Sequence, residues 1–286
     1  MRSQSTFART SVIGVAFVLL LIAASVLRHQ GSIAGSGRGL LLLDLPLLLA
    51  YGAFAGWIWR RRNGDSVLAT AGAAGLTLGA LLSVNHALEL LMANAGATAQ
   101  GIRGAASILL ILAFFGGVGA AACERSRSIP RAIVAGLWCA AIATWITLAF
   151  ALACNFAFER AVEATLSSPF AASGMSDPGA YSVRNSLEAA SEFLLRMPLM
   201  AAVLSLLGAC VSLFLSHSRV TALAAVWIAP FMFIGGGAAL LYANTLQRSA
   251  RPPFVMGGLL LAGVAVCAAY PIWSTLRRAK ASPQMG

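Results

Sequence analysis

Four polar residues interrupt the apolar sequence between positions 39 and 94, and they are the first candidates for chemistry. Asp44 follows a run of four leucines, and Asn85, His86 and Glu89 come near the end of the next apolar run. In a helix, Asn85 and Glu89 lie four residues apart and His86 and Glu89 three, so the three side chains share a face. Carboxylates and imidazole exchange protons, and ionisable groups inside a membrane span suggest function because they are costly there.

The basic turn 60–65 joins the two apolar runs, and it sets the depth of these residues. Helical rise places Asp44 about 22 Å from the turn on one helix, and His86 and Glu89 about 28 and 33 Å from it on the other. Asn155, at the end of a later apolar run, reaches a similar depth. We therefore expect one outward-facing polar pocket that binds a proton or a small ligand and is lined by Asp44, Asn85, His86, Glu89 and Asn155.

The alternative interpretation of these residues is structural. Glu89 would extend to the membrane interface, His86 would bond a backbone carbonyl, and Asp44 would cap the start of its helix. Asp44 is the residue that this interpretation explains least well, since leucines surround it on both sides.

Composition identifies the class of protein. The chain has 286 residues, of which 59% are hydrophobic and 10% charged, whereas soluble domains carry about 25% charged residues. An ordinary soluble globule is therefore excluded. The net charge of +11 does not indicate nucleic-acid binding, because the basic residues flank apolar runs and form no patch with interleaved aromatics.

The apolar runs predict an all-α, polytopic transmembrane helix bundle of about eight spans in one integral membrane domain. Each run is long enough, or nearly so, to cross a bilayer of about 30 Å. The first run follows a short basic segment as in a signal peptide, but it is longer than a signal-peptide core, which favours an uncleaved helix. The predicted spans are 10–27, 40–59, 67–94, 104–123, 132–156, 197–215, 220–246 and 254–276.

Basic residues predict the orientation. With both termini cytoplasmic, twelve lysines and arginines fall on the inner side and eight on the outer side. This excess agrees with the positive-inside rule and favours a multi-pass protein of the cell inner membrane.

The longest connection, 157–196, is predicted as an outer loop that contains an amphipathic helix. Val183, Leu187, Ala190 and Leu194 recur at helical spacing, with charged residues between them. Such a pattern is typical of a helix that lies at the membrane interface. It would serve as a lid over the outer pocket, or simply as a connector.

A flexible element is predicted in the seventh span. Pro230 stands at mid-span, and Gly235, Gly236 and Gly237 follow. Proline near a glycine triplet indicates a kinked or locally unwound helix, which in transporters often borders a substrate site. Close packing of helices is the alternative role.

Motifs for cofactor or metal chemistry are absent from the sequence. It contains no HExxH, no Walker A loop, no GxSxG and no CxxC, so we expect no metal, no cofactor and no catalytic activity. Three function classes stay open. The first is a transporter-like or small-ligand-binding protein. The second is a non-catalytic subunit that assembles with a membrane-protein partner or with copies of itself. The third is a membrane enzyme that uses Asp44, His86 and Glu89 on a lipid.

Overall fold

The computed structural model describes residues 2–33, 37–61, 65–91 and 97–215, and this part of the chain is almost entirely helical, with no strand. A short 3-10 helix, Gln30–Ile33, follows the first α-helix. The α-helices are α1 (Arg2–Arg28), α2 (Gly37–Arg61), α3 (Ser66–Leu91), α4 (Ala97–Ser126), α5 (Ile129–Ala157), α6 (Glu159–Thr165), α7 (Ser167–Ser173) and α8 (Pro178–Leu215).

Six of these helices, α1 to α5 and α8, are long and apolar enough to cross a membrane. The predicted all-helical, multi-pass, membrane-embedded fold is confirmed to that extent. The seventh and eighth predicted spans, the C-terminus, Pro230 and Gly235–Gly237 lie outside the described residues. The orientation and the choice of the inner membrane stay predictions.

Successive spans alternate in direction, so the connections gather at two ends of the bundle. At one end Arg28 pairs with Glu159 at 2.6 Å, and we call this the Glu159 end. At the other end Asp65 pairs with Arg131, and we call this the Asp65 end. Under the predicted orientation, the Glu159 end faces outward.

Helix α5 is the centre of the bundle. It contacts α1, α3, α4 and α8, and its buried residues are mostly small. Small side chains allow neighbouring backbones to approach closely, which is how helices associate in lipid. At Gly75 of α3, a Cβ atom would lie 2.6 Å from the carbonyl oxygen of Cys139 in α5. The side of α3 that carries Gly75 and Gly79 therefore packs on α5.

Helices α2 and α3 do not form the packed hairpin that their short connection suggests. The main neighbours of α2 are α1 and α8, whereas α3 packs on α5 and α4. Gly75 and Gly79 of α3 fit closely against α5, whereas Gly56 of α2 has no atom of the described residues within 4 Å of its ideal Cβ position. Helices α2 and α3 are neighbours in sequence, but each packs against other helices.

The amphipathic helix predicted within 157–196 falls in a longer helix, and its apolar side packs in the bundle. Residues 178–215 form one continuous helix, α8, which includes the predicted sixth span. Val183, Leu187, Ala190 and Leu194 are buried in the main hydrophobic core. Burial between helices satisfies an apolar stripe as well as a membrane surface does, so the periodicity alone did not distinguish the two.

Candidate functional site

Asp44 lies inside the bundle, where α2 meets α8. Its exposed fraction is 0%. The Ser191 hydroxyl of α8 donates a hydrogen bond of 2.6 Å to Oδ1. The second oxygen, Oδ2, has no hydrogen-bond partner among the described residues.

The helical repeat of α2 explains why Asp44 faces inward. Leu48, Tyr51, Ala55 and Ile58 follow Asp44 at helical spacing, and all of them are buried. Residues at this spacing share one side of a helix. Asp44 therefore occupies the buried stripe of α2, about 10 Å from the start of the helix, and an apolar residue at this position would continue the stripe.

Tyr51 supplies a hydrogen-bond donor that the backbone of α8 lacks at Pro198. Pro198 has no backbone N–H, so the Leu194 carbonyl, four residues earlier, lacks its helical donor. The Tyr51 hydroxyl donates a hydrogen bond of 3.0 Å to that carbonyl. A long-range side chain thus satisfies a backbone group that would otherwise be unpaired in an apolar interior.

Tyr51→Phe is therefore expected to lower the free energy of unfolding by about 1–2 kcal/mol, because it leaves the Leu194 carbonyl unpaired. Replacing Pro198 with alanine restores a backbone donor, so the double variant Tyr51→Phe/Pro198→Ala should recover most of that loss. Thermal unfolding in detergent measures both effects. Equal losses with proline and with alanine at position 198 would show that the hydrogen bond does not matter.

Thr144 of α5 extends the buried polar groups toward the middle of the membrane. It has an exposed fraction of 0% and lies near the Tyr51 hydroxyl, but its own hydroxyl makes no hydrogen bond of good geometry. We call Asp44, Ser191, Tyr51 and Thr144 the buried polar track. It runs between α2, α5 and α8 from the Glu159 end toward mid-membrane.

Glu89 and His86 belong to a different group. The Glu89 carboxylate lies 3.1 Å from the guanidinium of Arg103 in α4 and 3.6 Å from Nδ1 of His86. Arg103 also donates to the backbone carbonyl of Asn85 at 3.2 Å. The charge of Glu89 is therefore balanced by a neighbour, and this group ties the end of α3 to the start of α4.

Asn155 belongs to a third group, at the Glu159 end. Its amide donates a hydrogen bond of 2.7 Å to the Ser186 hydroxyl of α8. It borders a cavity of about 20 Å³, which is also lined by Arg28, His29 and Glu159. A cavity of this size holds about one water molecule, so it has no room for an organic ligand.

The five predicted site residues therefore fall into three groups. Asp44 contacts α8, the group of Asn85, His86 and Glu89 contacts α4, and Asn155 contacts α8 nearer the Glu159 end. Among the described residues, these contacts do not join the five side chains into the one pocket that the sequence predicts, because the helices that carry them have different neighbours.

Sequence reasoning missed most partners of these residues. Tyr51 had a signal, since it shares the helical stripe of Asp44. Ser191 and Thr144 had none, because a hydroxyl in an apolar run usually bonds its own helix. Among the described residues, no group of three His, Cys, Asp or Glu side chains is arranged to hold a metal ion.

Comparisons with known proteins add no family. No protein-family model, no curated protein and no solved structure matches this chain. The assignment of function therefore rests on the residues and their geometry.

Proposed function

We propose that the protein is a transporter-like or small-ligand-binding membrane protein in which Asp44 binds a proton or a small cation. The observation that carries this proposal is the environment of the Asp44 carboxyl group. It is fully buried in a span, it receives one hydrogen bond from a hydroxyl, and its second oxygen has no partner among the described residues. A carboxylate in that position has no compensating positive charge among the described residues, and a bound proton or cation supplies one.

Glu89 provides the contrast within the same chain. Arg103 balances its charge, and its side chain is about half exposed, at 51%. A paired, half-exposed carboxylate costs the folded state little, so Glu89 needs no functional explanation. Asp44 does need one, since replacing a buried charge with an apolar residue is often neutral or stabilising. The burial of Asp44 therefore supports a role in binding.

Modification by a hydrophobic carbodiimide tests the site directly, because this reagent reacts with a protonated carboxyl group in an apolar environment. We expect peptide mass spectrometry of treated membranes to find the label on Asp44, less of it as the pH rises, and none in Asp44→Asn. Glu89→Gln is the matched control and should leave the labelling of Asp44 unchanged. An unlabelled Asp44 at every pH would argue against proton binding there.

Ligand-induced stabilisation tests the wider function. A ligand at one hundred times its Kd stabilises the folded state by about 2.7 kcal/mol. The purified protein should therefore show a higher Tm with at least one member of a panel of small cations and organic solutes. We expect that shift to disappear in Asp44→Asn and to persist in Glu89→Gln. A shift that survives in Asp44→Asn would place binding elsewhere.

A second candidate function is a non-catalytic subunit of a larger membrane complex. The surface around Gly56 of α2 favours it, because a small residue with no described atom within 4 Å of its ideal Cβ position leaves room for another helix. Native mass spectrometry after extraction in mild detergent separates the two candidates. A stoichiometric protein partner supports the subunit, whereas a lone protein that carries a small molecule supports the binding function.

We propose no catalytic role. An enzyme that acts on lipid would need Asp44, His86 and Glu89 to converge on one substrate. The contacts of Asp44 are with α8 and those of Glu89 are with α4, which supports a binding function over a catalytic one.

A further inference from the structure

One side of α8 is left uncovered by the described helices, and it carries charges. Its exposed residues recur at helical spacing, and we call them the α8 stripe: Glu188, Glu192, Leu195, Arg196 and Leu199. Leu195 and Leu199 are 49% and 67% exposed. Glu192 and Arg196 pair with each other at 2.9 Å, with side chains 53% and 68% exposed.

Two contacts with α5 fix the depth of the α8 stripe. Asn155 bonds Ser186 near the Glu159 end, and Gly136 adjoins Ser205 nearer the Asp65 end. Both contacts join membrane-spanning helices, and the α8 stripe lies between Ser186 and Ser205. Arg196 is about 15 Å further along the helix than Ser186.

An ion pair at this depth is costly on a surface that faces lipid. Leu195 and Leu199 would tolerate lipid, but Glu192 and Arg196 lie among them on the same side of the helix. A protein segment with polar groups at the matching depth would remove this cost.

We infer that the α8 stripe is covered by segment 220–246 of the same chain, the predicted seventh span. Helix α8 ends at Leu215, and only residues 216–219 separate it from this segment. A connection this short joins antiparallel neighbours. The other sides of α8 already contact α2, α4 and α5, so the α8 stripe is the side that remains for the neighbour.

The sequence of the segment complements the α8 stripe in that antiparallel arrangement. Equal helical rise from the turn brings Gly235–Gly237 opposite Leu199, where small residues admit a leucine side chain. It also brings Asn244 near Glu192, and Arg248, two residues after the end of the segment, near Glu188. Glu188 has no ion pair within the described residues, so Arg248 would supply its opposite charge. This inference goes beyond the proposed function, since it requires no ligand at Asp44.

Disulfide cross-linking in native membranes tests the arrangement. In a full-length parent whose five cysteines are replaced by alanine, we expect oxidation to join Leu195→Cys to Leu240→Cys and Leu199→Cys to Gly236→Cys. Both cross-links should form within one molecule at monomer mass. Asn155→Cys with Ser186→Cys, which are in contact in the structure, is the positive control. Leu20→Cys with Leu240→Cys is the negative control, because Leu20 is exposed at a similar depth on α1.

The outcomes separate the possible occupants of the α8 stripe. Cross-links within one molecule support the inference. Cross-links between molecules would overturn it in favour of a second copy. If neither pair reacts while the positive control does, the inference is also overturned, and lipid or another protein covers the α8 stripe.

A charge exchange provides a second measurement that keeps the native cysteines. We expect Glu188→Arg and Arg248→Glu each to lower the Tm by a few degrees, and the double variant to recover most of the loss. Arg251→Glu is the matched control, and it should not rescue Glu188→Arg. If the double variant has a Tm no higher than that of the less stable single variant, the inference is contradicted. This test does not depend on the folding of the cysteine-free parent.

Discussion

Replacing Gly119 with valine is expected to prevent α4 from packing against α8. A Cβ atom at Gly119 would lie 2.2 Å from the carbonyl oxygen of Ser205 and 2.4 Å from its Cα atom. Both are backbone atoms of α8, so no side-chain rotation relieves the clash. Overpacking of an interior typically costs 1–3 kcal/mol. Since the backbone itself must move here, we expect a loss of about 3 kcal/mol or more in the free energy of unfolding.

Ser205 makes this position sensitive because three helices meet there. Its side chain is fully buried and its hydroxyl donates a hydrogen bond of 3.2 Å to the Phe115 carbonyl of α4. At Gly136 of α5, a Cβ atom would lie 1.8 Å from the same hydroxyl oxygen. Moving α8 away from Gly119 therefore also disturbs its contact with α5.

Gly117→Val is the matched control for this prediction. Gly117 lies two residues away on the same helix, and a Cβ atom there would meet nothing within 4 Å. We expect its stability to stay within about 0.5 kcal/mol of the wild type. Chemical unfolding in detergent micelles measures both variants. Equal losses at Gly117 and Gly119 would mean that the close approach of α4 and α8 does not stabilise the fold.

The helices themselves could be predicted from the sequence, because the length and hydropathy of an apolar run indicate a membrane span. The packing of α3 follows a similar local pattern. Gly75 and Gly79 are small residues four positions apart, and both lie against α5. Local patterns thus predicted which faces are buried.

The partners of those faces could not be predicted in the same way. A stripe of apolar residues in α8 indicates burial but does not specify whether lipid or another helix covers it. Asp44 and Glu89 are both predicted far from the basic turn 60–65, yet one contacts Ser191 and the other contacts Arg103. Which helix becomes a neighbour depends on side-chain fit over the whole bundle, and no single segment of sequence contains that information.

The backbone around Pro198 also depends on a residue of another helix, which the local sequence does not reveal. The sequence suggested that a new helix begins near this proline, because proline often occupies the first turn. In the structure α8 continues through it, and Tyr51 of α2 supplies the missing donor. A residue far away in sequence therefore satisfies the backbone carbonyl that the proline leaves without its helical donor.

Removing the positive charge of Arg131 is expected to produce the second large loss of stability. Asp65 uses both of its oxygens. Oδ1 accepts a hydrogen bond of 2.9 Å from the Val67 N–H at the start of α3, and Oδ2 pairs with the guanidinium of Arg131 in α5. The Asp65 side chain is only 8% exposed, whereas that of Arg131 is 40% exposed. Arg131→Met therefore removes the positive charge that pairs with Oδ2 of a carboxylate that water reaches poorly.

We expect Arg131→Met to lower the free energy of unfolding by about 2 kcal/mol. A fully buried pair loses about 3–5 kcal/mol when one partner is removed, and the exposure of Arg131 reduces that value. Asp65→Asn should lose less, about 1 kcal/mol, because asparagine still caps the helix and the freed arginine can reach water. The double variant should be more stable than the sum of the two losses predicts, with a coupling energy of about 1 kcal/mol.

The double-mutant cycle separates this pair from a general effect of charge at the same end of the bundle. Arg125→Met is the control, since Arg125 is exposed and donates to the Thr70 hydroxyl without facing a carboxylate. Its loss should stay within about 0.5 kcal/mol. Additive losses for Asp65→Asn and Arg131→Met would show that the two side chains act independently. A coupling energy confined to this pair would show that the contact between Asp65 and Arg131 stabilises the packing of the start of α3 against α5. That packing directs α3 toward α5, whereas α2 packs mainly on α1 and α8.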